Sequence, residues 1–429
     1  MKSAILHTDA AEENPPSKRS LRGLDWLYFF LADVQTGVGP FLAVYLATRK
    51  WNPEQVGIAL TIGGLAGVIT QIPAGAVVDR AHRKRLLVLA GLVMLATGSL
   101  LLAIWPSFGV VVAGQILIGG AGALLVPTVN AITLGLVGAA AFDQRFGRNQ
   151  AFNSAGNVFA AVLMGSIGYF LSARGIFFAV PLLVFPCLLT LFTISNKEIS
   201  FERARGAAAN DQGKAGISGI QTLLKNHTLL LFAGCTFLFH FSNAAMLPLL
   251  GQMLAHGRKA AAAPFMSACV LVIQMVIAIS AAWIGRKAST LGRKPLLLIG
   301  FGVLPVRGVL YTLTSSIPLL IGIQFLDGVA NSIFGVVSIL VVADLTRGTG
   351  RFNIAQGGLA TAVGIGASIS TTYAGVLVQH FSYSAGFLGL AAVAVFAWLL
   401  LFFTMPETLV RGKPVKDGLG LGGEINSLA

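Results

Sequence analysis

Charge is scarce in this chain of 429 residues: only 11% are Asp, Glu, Lys or Arg, against about a quarter in an ordinary soluble domain. A water-soluble fold of this length could not cover its surface with so few. Acidic residues are the scarcer sign, 16 against 30 Lys and Arg, which leaves a net charge of +14. Cysteine is nearly missing as well. Cys187, Cys235 and Cys269 each sit inside an apolar run, and their spacing matches no metal site. They read as small packing residues, so no disulfide framework and no metal centre are expected. There is no Gly-x-x-x-x-Gly-Lys-Ser/Thr phosphate loop, so ATP is not expected to drive the protein directly. No His-rich tract or nucleophile motif occurs, and the longest internal polar stretch, 196–227, is too short for a soluble output domain. An enzyme or a membrane sensor is therefore the remote reading. Residues 1–22 are polar and contain Pro15-Pro16 and Lys18-Arg19. They lack the short apolar region of a cleaved signal and read as an unstructured tail.

What the chain has in abundance is apolar sequence, 55% of its residues. Runs long enough to cross a bilayer as a helix, about 20 residues, recur throughout. Twelve spans are predicted, near 24–46, 55–78, 86–104, 108–138, 149–171, 175–195, 228–254, 264–285, 295–314, 317–343, 352–378 and 383–405. The fold class is an all-α polytopic membrane protein with two six-helix bundles. The expected parts are a cytoplasmic tail (1–23), an N-terminal bundle (24–195), a cytoplasmic linker (196–227), a C-terminal bundle (228–405) and a cytoplasmic C-terminal tail (406–429). With the N-terminus inside, 24 Lys and Arg residues fall in the tails and inner loops and five on the other side, while Arg307 lies within span 9. That asymmetry places both termini in the cytoplasm of an inner-membrane protein by the positive-inside rule. It also accounts for the basic charge without nucleic acid. Trp26, Trp51, Trp105 and Trp283 fall near span ends, as interfacial anchors do.

The two bundles repeat each other. Pro40 in span 1 matches Pro248 in span 7, an offset of 208; Gly75 and Arg83-Lys84 match Gly285 and Arg293-Lys294, an offset of 210. Gln115-x-x-Ile118-Gly119 in span 4 matches Gln324-x-x-Asp327-Gly328 in span 10, an offset of 209, and Gly147-Arg148 matches Gly350-Arg351, an offset of 203. Six spans is an even number, so both copies insert with the same orientation, with a cavity expected between them near mid-bilayer.

The segment Gly75-Ala76-Val77-Val78-Asp79-Arg80-Ala81-His82-Arg83-Lys84-Arg85 resembles the loop between helices 2 and 3 of the major facilitator superfamily, Gly-x-x-x-Asp-Arg-x-Gly-Arg-Arg/Lys. It departs at His82, where the family has Gly. In the weaker second copy, Gly285 to Lys294, Ser289 replaces the Asp. The resemblance implies that Gly75, Asp79, Arg80, Arg83 and Lys84 form a conformational latch. Gly75 would permit close packing, Asp79 would face a helix terminus, and Arg83 would pair with a carboxylate such as Asp143. The family resemblance further implies that spans 1, 4, 7 and 10 line the cavity and that the protein works as a monomer. Two exporter features are degraded: Gln115 stands where proton-driven exporters carry Arg, and span 5 has Gly156, Gly165 and Gly168 without the intervening Pro.

Charge inside a bilayer is costly and needs a reason. Asp33, His240 and Asp327 all lie on spans that the resemblance places at the cavity. Asp33 and Asp327 are the candidate binders of a substrate cation or a proton, with His240, Gln115, Gln324 and Asn331 as polar lining. Arg307 is expected to pair with Asp327 or to reach for the outer surface. Glycines 357, 358, 364, 366 and 375 of span 11 read as a surface for close approach. The function expected is secondary active transport of a small molecule, proton-coupled efflux first and proton-coupled import of a sugar, organic acid or other metabolite second. No cofactor is expected beyond the proton gradient.

Overall fold

A computed structural model of the protein describes residues 16–36, 39–204, 226–257, 259–347 and 352–409. Among these, secondary structure is helical throughout, as it must be where lipid offers the backbone no partner. Eleven stretches are long and apolar enough to cross a membrane. They are the predicted spans 2 to 12. Span 1 is described over α1 (Lys18–Thr36) and α2 (Gly39–Thr48). Spans 2 and 3 are α3 (Pro53–Arg80) and α4 (Lys84–Ile104). Spans 4 and 5 lie in one element, α5 (Phe108–Phe170), broken at Gly138, whose φ of 72° needs glycine. Span 6 is α6 (Ala173–Thr193), followed by a single 3-10 turn (Asn196–Glu198) and the one-turn α7 (Phe201–Ala204). Span 7 is α8 (His227–Ala244) plus α9 (Met246–Gly257); spans 8 to 12 are α10 (Lys259–Leu291), α11 (Arg293–Leu313), α12 (Ile317–Leu345), α13 (Phe352–His380) and α14 (Tyr383–Thr404).

Span 7 is interrupted at Ala245. A proline nitrogen cannot donate to the carbonyl four residues back, and α8 ends at Ala244, four before Pro248. The duplication also shows in the caps. Ser17 Oγ accepts from Ser20 N (3.2 Å) and Asn226 Oδ1 from Leu229 N (3.1 Å), an offset of 209. Ser172 Oγ accepts from Gly175 N (3.0 Å) and Ser382 Oγ from Ala385 N (3.1 Å), an offset of 210. Each side chain satisfies a donor that the first helical turn leaves unpaired.

Three expectations are corrected. The tail is not unstructured to residue 22, because α1 starts at Lys18, capped by Ser17, which also donates from N (2.9 Å) to Glu198. Arg145 and Arg148 are not loop residues, because span 5 is helical from Gln144. Both pair with buried Asp25 of span 1, at 2.6 and 2.8 Å. The linker is not wholly loop either. Ser200 N donates to Gly135 O (3.0 Å), and Phe201 stacks on His82 with ring centroids 3.9 Å apart, so its first residues are docked on the N-terminal bundle.

The two bundles touch at the face away from the N-terminus. There a Cβ on Gly57 would lie 2.3 Å from the Thr371 carbonyl, and one on Gly375 would lie 2.4 Å from that of Pro53. Small residues let backbones approach this closely. The Thr61 hydroxyl donates to Ser368 O (2.6 Å) and lies 2.9 and 2.7 Å from those of Thr371 and Thr372. Across spans 5 and 8, Ser267 Oγ donates to Ala161 O (2.6 Å). At the basic face the bundles part. A Cβ on Gly75, Gly147, Gly357 or Gly358 would meet nothing within 4 Å. Gly75 therefore packs against nothing in this conformation, contrary to expectation, and the same holds for the first two glycines of span 11. The molecule is closed at one face and open at the basic one.

At the basic face the repeat has a register one residue away from the expected one. Lys84 and Arg293, 209 apart, are each the first residue of a helix and each buried. Lys84 Nζ donates back to Val78 O, and Arg293 Nη1 to Ala288 O (2.5 Å). Cations are favoured at such carbonyl-rich helix ends. Arg293 also pairs with Asp344 (3.1 Å). Glu407 accepts from the backbone N of Arg293 (2.8 Å), Lys294 (3.1 Å) and Leu409 (2.9 Å). Burial pushes this carboxyl group up, but the backbone donors outweigh it and hold Glu407 below its ordinary value.

Two measurements check these contacts. Cysteines placed by Thr61→Cys and Thr371→Cys should cross-link in native membranes and arrest the molecule closed at the far face; no cross-link would mean that these ends do not meet. The Glu407 carboxylate stabilises the fold above its unfolded pKa, and this is lost as pH falls through the lower folded value. Glu407→Gln should therefore melt earlier than wild type at neutral pH, with the gap closing in strong acid. A gap independent of pH would show that the charge contributes nothing.

Candidate functional site

Gln324, Asp327 and Asn331 are spaced three and four apart on span 10, which puts them on one helix face. Arg307 and Tyr311, four apart on span 9, face them. The Arg307 guanidinium is wholly buried and pairs with the Asp327 carboxylate, whose side chain keeps 7% exposure. Asn331 Nδ2 donates to Asp327 Oδ1 (2.7 Å) and to its backbone carbonyl (3.0 Å). Gln324 Nε2 donates to the Tyr311 hydroxyl (2.8 Å), and Arg307 lies 5.6 Å from the centre of the Tyr311 ring. Of the two fates open to Arg307, pairing is the one observed. Its Nε and both Nη atoms make no hydrogen bond of ordinary geometry, so among the described residues one carboxylate is the counter-charge to a guanidinium built to give five.

His240 lies against the same stripe. Its ring meets Phe334 edge-on at 4.8 Å and Phe239 at 5.2 Å, and its Nε2 is buried without a partner. Phe334 is seven residues, two turns, beyond Asp327, about 10 Å along the helix. The structure thus gathers His240, Asp327, Gln324 and Asn331 in the C-terminal bundle. Gln115 is elsewhere: it is buried on span 4, and a Cβ on Gly63 of span 2 would lie 2.4 Å from its Oε1. Asp33 lies on α1, but its side chain is outside the described residues, as is that of Asp143. Asp79, Arg80 and Arg83 are exposed and form no ion pair among the described residues. Asp79 therefore does not cap span 3 here; the loop is three residues long, and the cation at the start of span 3, Lys84, turns back to span 2 instead.

Several polar groups escaped the sequence. Tyr28 donates to Asn130 Oδ1 (2.7 Å) across spans 1 and 4, and Asn149 Nδ2 donates to Thr133 Oγ1 (3.2 Å). Tyr311 joins the charge pair, and the i, i+4 spacing from Arg307 was the signal available. Asp25 stands at the edge of the first span as expected from residue 24. With the start at 18, it is nearly two turns inside.

The family model of the Major Facilitator Superfamily matches residues 24–306 and 274–423. The chain belongs to the major facilitator superfamily. Relatives described as uncharacterized MFS-type transporters of Mycobacterium tuberculosis, strains CDC 1551 / Oshkosh and H37Rv, are 39% identical over 412 residues, covering 96% of this chain and 98% of theirs. Among solved structures, the nucleoside transporter NupG is similar in fold (TM-score 0.71, 18% identity, 90% of this chain and 98% of that one). A D-xylose-proton symporter is similar too (TM-score 0.70, 14% identity, 91% and 98%). The two-bundle membrane architecture is thus the superfamily's.

In this superfamily member the charge pair should behave as a unit. Arg307→Gln alone strands a buried carboxylate, and loss of one partner of such a pair costs about 3–5 kcal/mol. Arg307→Gln combined with Asp327→Asn should recover most of the lost thermal stability in detergent. Additive losses would show that the two residues do not depend on each other.

Proposed function

We propose that the protein is a secondary transporter that exports a small molecule across the inner membrane in exchange for protons, by alternating access. The basic face is the cytoplasmic one and both termini lie there. The observation that carries the reading is the single carboxylate of Asp327, slightly exposed on one side and paired to buried Arg307 on the other. Protonating it would leave Arg307 without a counter-charge, so proton uptake cannot occur in place; it must accompany a rearrangement or a change of ligand. A proton and a substrate group that compete for one carboxylate exchange rather than travel together. Asp33 and His240 serve the same exchange, with Gln324 and Asn331 holding Asp327 in register and Gln115 as lining.

The conformation agrees with this cycle. It is open to the cytoplasm, and the latch residues Asp79, Arg80 and Arg83 are exposed and unpaired, as befits a latch that engages when the inner face closes, with Gly75 and Lys84 shaping its ends. The protein acts as a monomer in the bilayer, with no cofactor and no nucleic acid; the proton gradient supplies the energy. Proton-coupled import is the second reading. It is favoured by Gln115, which is packed against Gly63 where proton-driven exporters carry Arg.

Inside-out vesicles acidified by respiration test both. A transported compound should discharge the gradient, and Asp327→Asn should reduce the response to that of empty vesicles while still inserting normally. Undiminished transport by Asp327→Asn at every pH would remove Asp327 from the mechanism. Uptake of labelled metabolites together with protons into right-side-out vesicles would favour import.

A further inference from the structure

Where the bundles part at the basic face, a cavity of about 590 Å³ opens between span 2 of one bundle and spans 7 and 11 of the other. Its walls are Ile72, Leu229, Leu230, Ala233, Ile354 and Leu359. Among the described residues, no charged side chain lines it. Its polar groups are Gln71 and Thr361, and the Thr361 hydroxyl already donates to Gly357 O (3.0 Å) within its own helix. That leaves one neutral amide able to both give and accept. The floor is Gly357-Gly358, where a Cβ would meet nothing within 4 Å.

The gap runs from the basic face into the membrane. Leu229, Leu230 and Ile354 lie within a turn of the starts of spans 7 and 11, whereas Gln71 and Ile72 stand eight or nine residues before Arg80, the end of span 2, or about 12–14 Å inside at 1.5 Å per residue. That inner end is beyond the headgroup layer and within the hydrocarbon. Ile72 is 82% exposed there. One wall of the gap shares a helix face with the site. Ala233 and His240 are seven residues apart on span 7, two turns on one face, so the wall at Ala233 continues to the His240–Phe334 contact beside the Asp327 stripe.

We propose that this gap is a lateral portal through which a neutral amphiphile, an apolar body with one uncharged hydrogen-bonding group, passes between the inner leaflet and the transport cavity. The proposal rests on the transport reading and names its substrate class. An apolar wall that ends in lipid admits a molecule already partitioned into the membrane. A hydrated, charged solute would have to shed its water against leucine and isoleucine, at a cost with nothing to offset it.

The test needs no transport. Ala233→Cys, in full-length protein with Cys187, Cys235 and Cys269 replaced by alanine, is labelled with bimane and reconstituted in vesicles. The probe is a brominated monoacylglycerol, a neutral amphiphile, with iodide as the aqueous quencher. Ile279→Cys, at an exposed position in mid-span 8, supplies the lipid-facing reference. The amphiphile should quench bimane at 233 to an extent comparable with 279, and iodide should quench it weakly. Gly358→Trp, which fills the gap, should at least halve amphiphile quenching at 233 and leave 279 unchanged; Gly358→Leu serves if the tryptophan variant does not fold. Strong iodide quenching at 233, or amphiphile quenching that ignores both Gly358 variants, overturns the portal. Because quenching is read without a gradient, failure of proton exchange in the vesicle assay would be a separate result.

Discussion

A backbone that crosses lipid must find every hydrogen bond within itself, and the rest of this structure follows from that constraint. It forces the apolar runs into helices, and it leaves side chains and small residues as the only means of joining one helix to another. Hydrophobic burial contributes little between helices that lie in hydrocarbon. The bundles therefore meet through close backbone approach at Gly57 and Gly375 and through the hydroxyls of Thr61, Ser368, Thr371 and Thr372. Contacts of this kind are directional, short in reach and individually weak. They can be made at one face and released without dismantling either bundle, which an interdigitated apolar core would not allow. A hinged pair of bundles is thus the natural product of a chain that has too little charge for water and many glycines at its contacts.

The same logic explains what was legible in the sequence. Spans could be counted because a run of apolar residues in lipid has one outcome. The duplication could be read from Pro40 and Pro248 because proline acts through the backbone, whatever surrounds it. The Gln324, Asp327 and Asn331 stripe was readable from spacing alone, and Arg307 stood out because a buried cation must have a partner. What was hidden depended on direction. Nothing in the order of residues says that Gln115 faces span 2 rather than a cavity. Nothing says that Lys84, not Arg83, is the counterpart of Arg293; that follows from which residue begins the helix, and the helix begins one residue later than the Arg-Lys pairs suggest. Asp25 was missed for a related reason. Helix α1 starts several residues before the apolar run, on polar sequence that Ser17 caps, and no hydropathy pattern marks such a start.

Conformation was the other hidden quantity. One glycine pattern in span 11 serves two states: Gly364, Gly366 and Gly375 are in tight contact while Gly357 and Gly358 face open space. Read as sequence, the five are one surface. Read in one conformation, they divide at the point where the bundles diverge. The latch behaves in the same way. Among the described residues Asp79 and Arg83 form no ion pair at the open face, so no charge pair of theirs holds the state seen here. Its stabilisation comes from the far face, and a latch that engages only when the inner ends meet would oppose it. In the proposed cycle the two faces are thus set against each other, and neither can win by much.

The buried pair supplies what could tip that balance. Arg307 holds five N–H donors in a site with no water-facing side, and a single carboxylate answers them. Such a group is stable only while that carboxylate stays charged. Any event that neutralises Asp327 therefore changes the energy of the whole C-terminal bundle, because Arg307 on span 9, Gln324 and Asn331 on span 10, and the Tyr311 hydroxyl between them are held in one network. In the proposed exchange, a proton arriving from the open face meets a carboxylate that cannot accept it without unsettling the guanidinium behind it. Coupling between a proton and a change of shape then needs no long relay. On the exchange proposed above, it needs one carboxylate with two claimants, on a helix packed against a fully buried arginine.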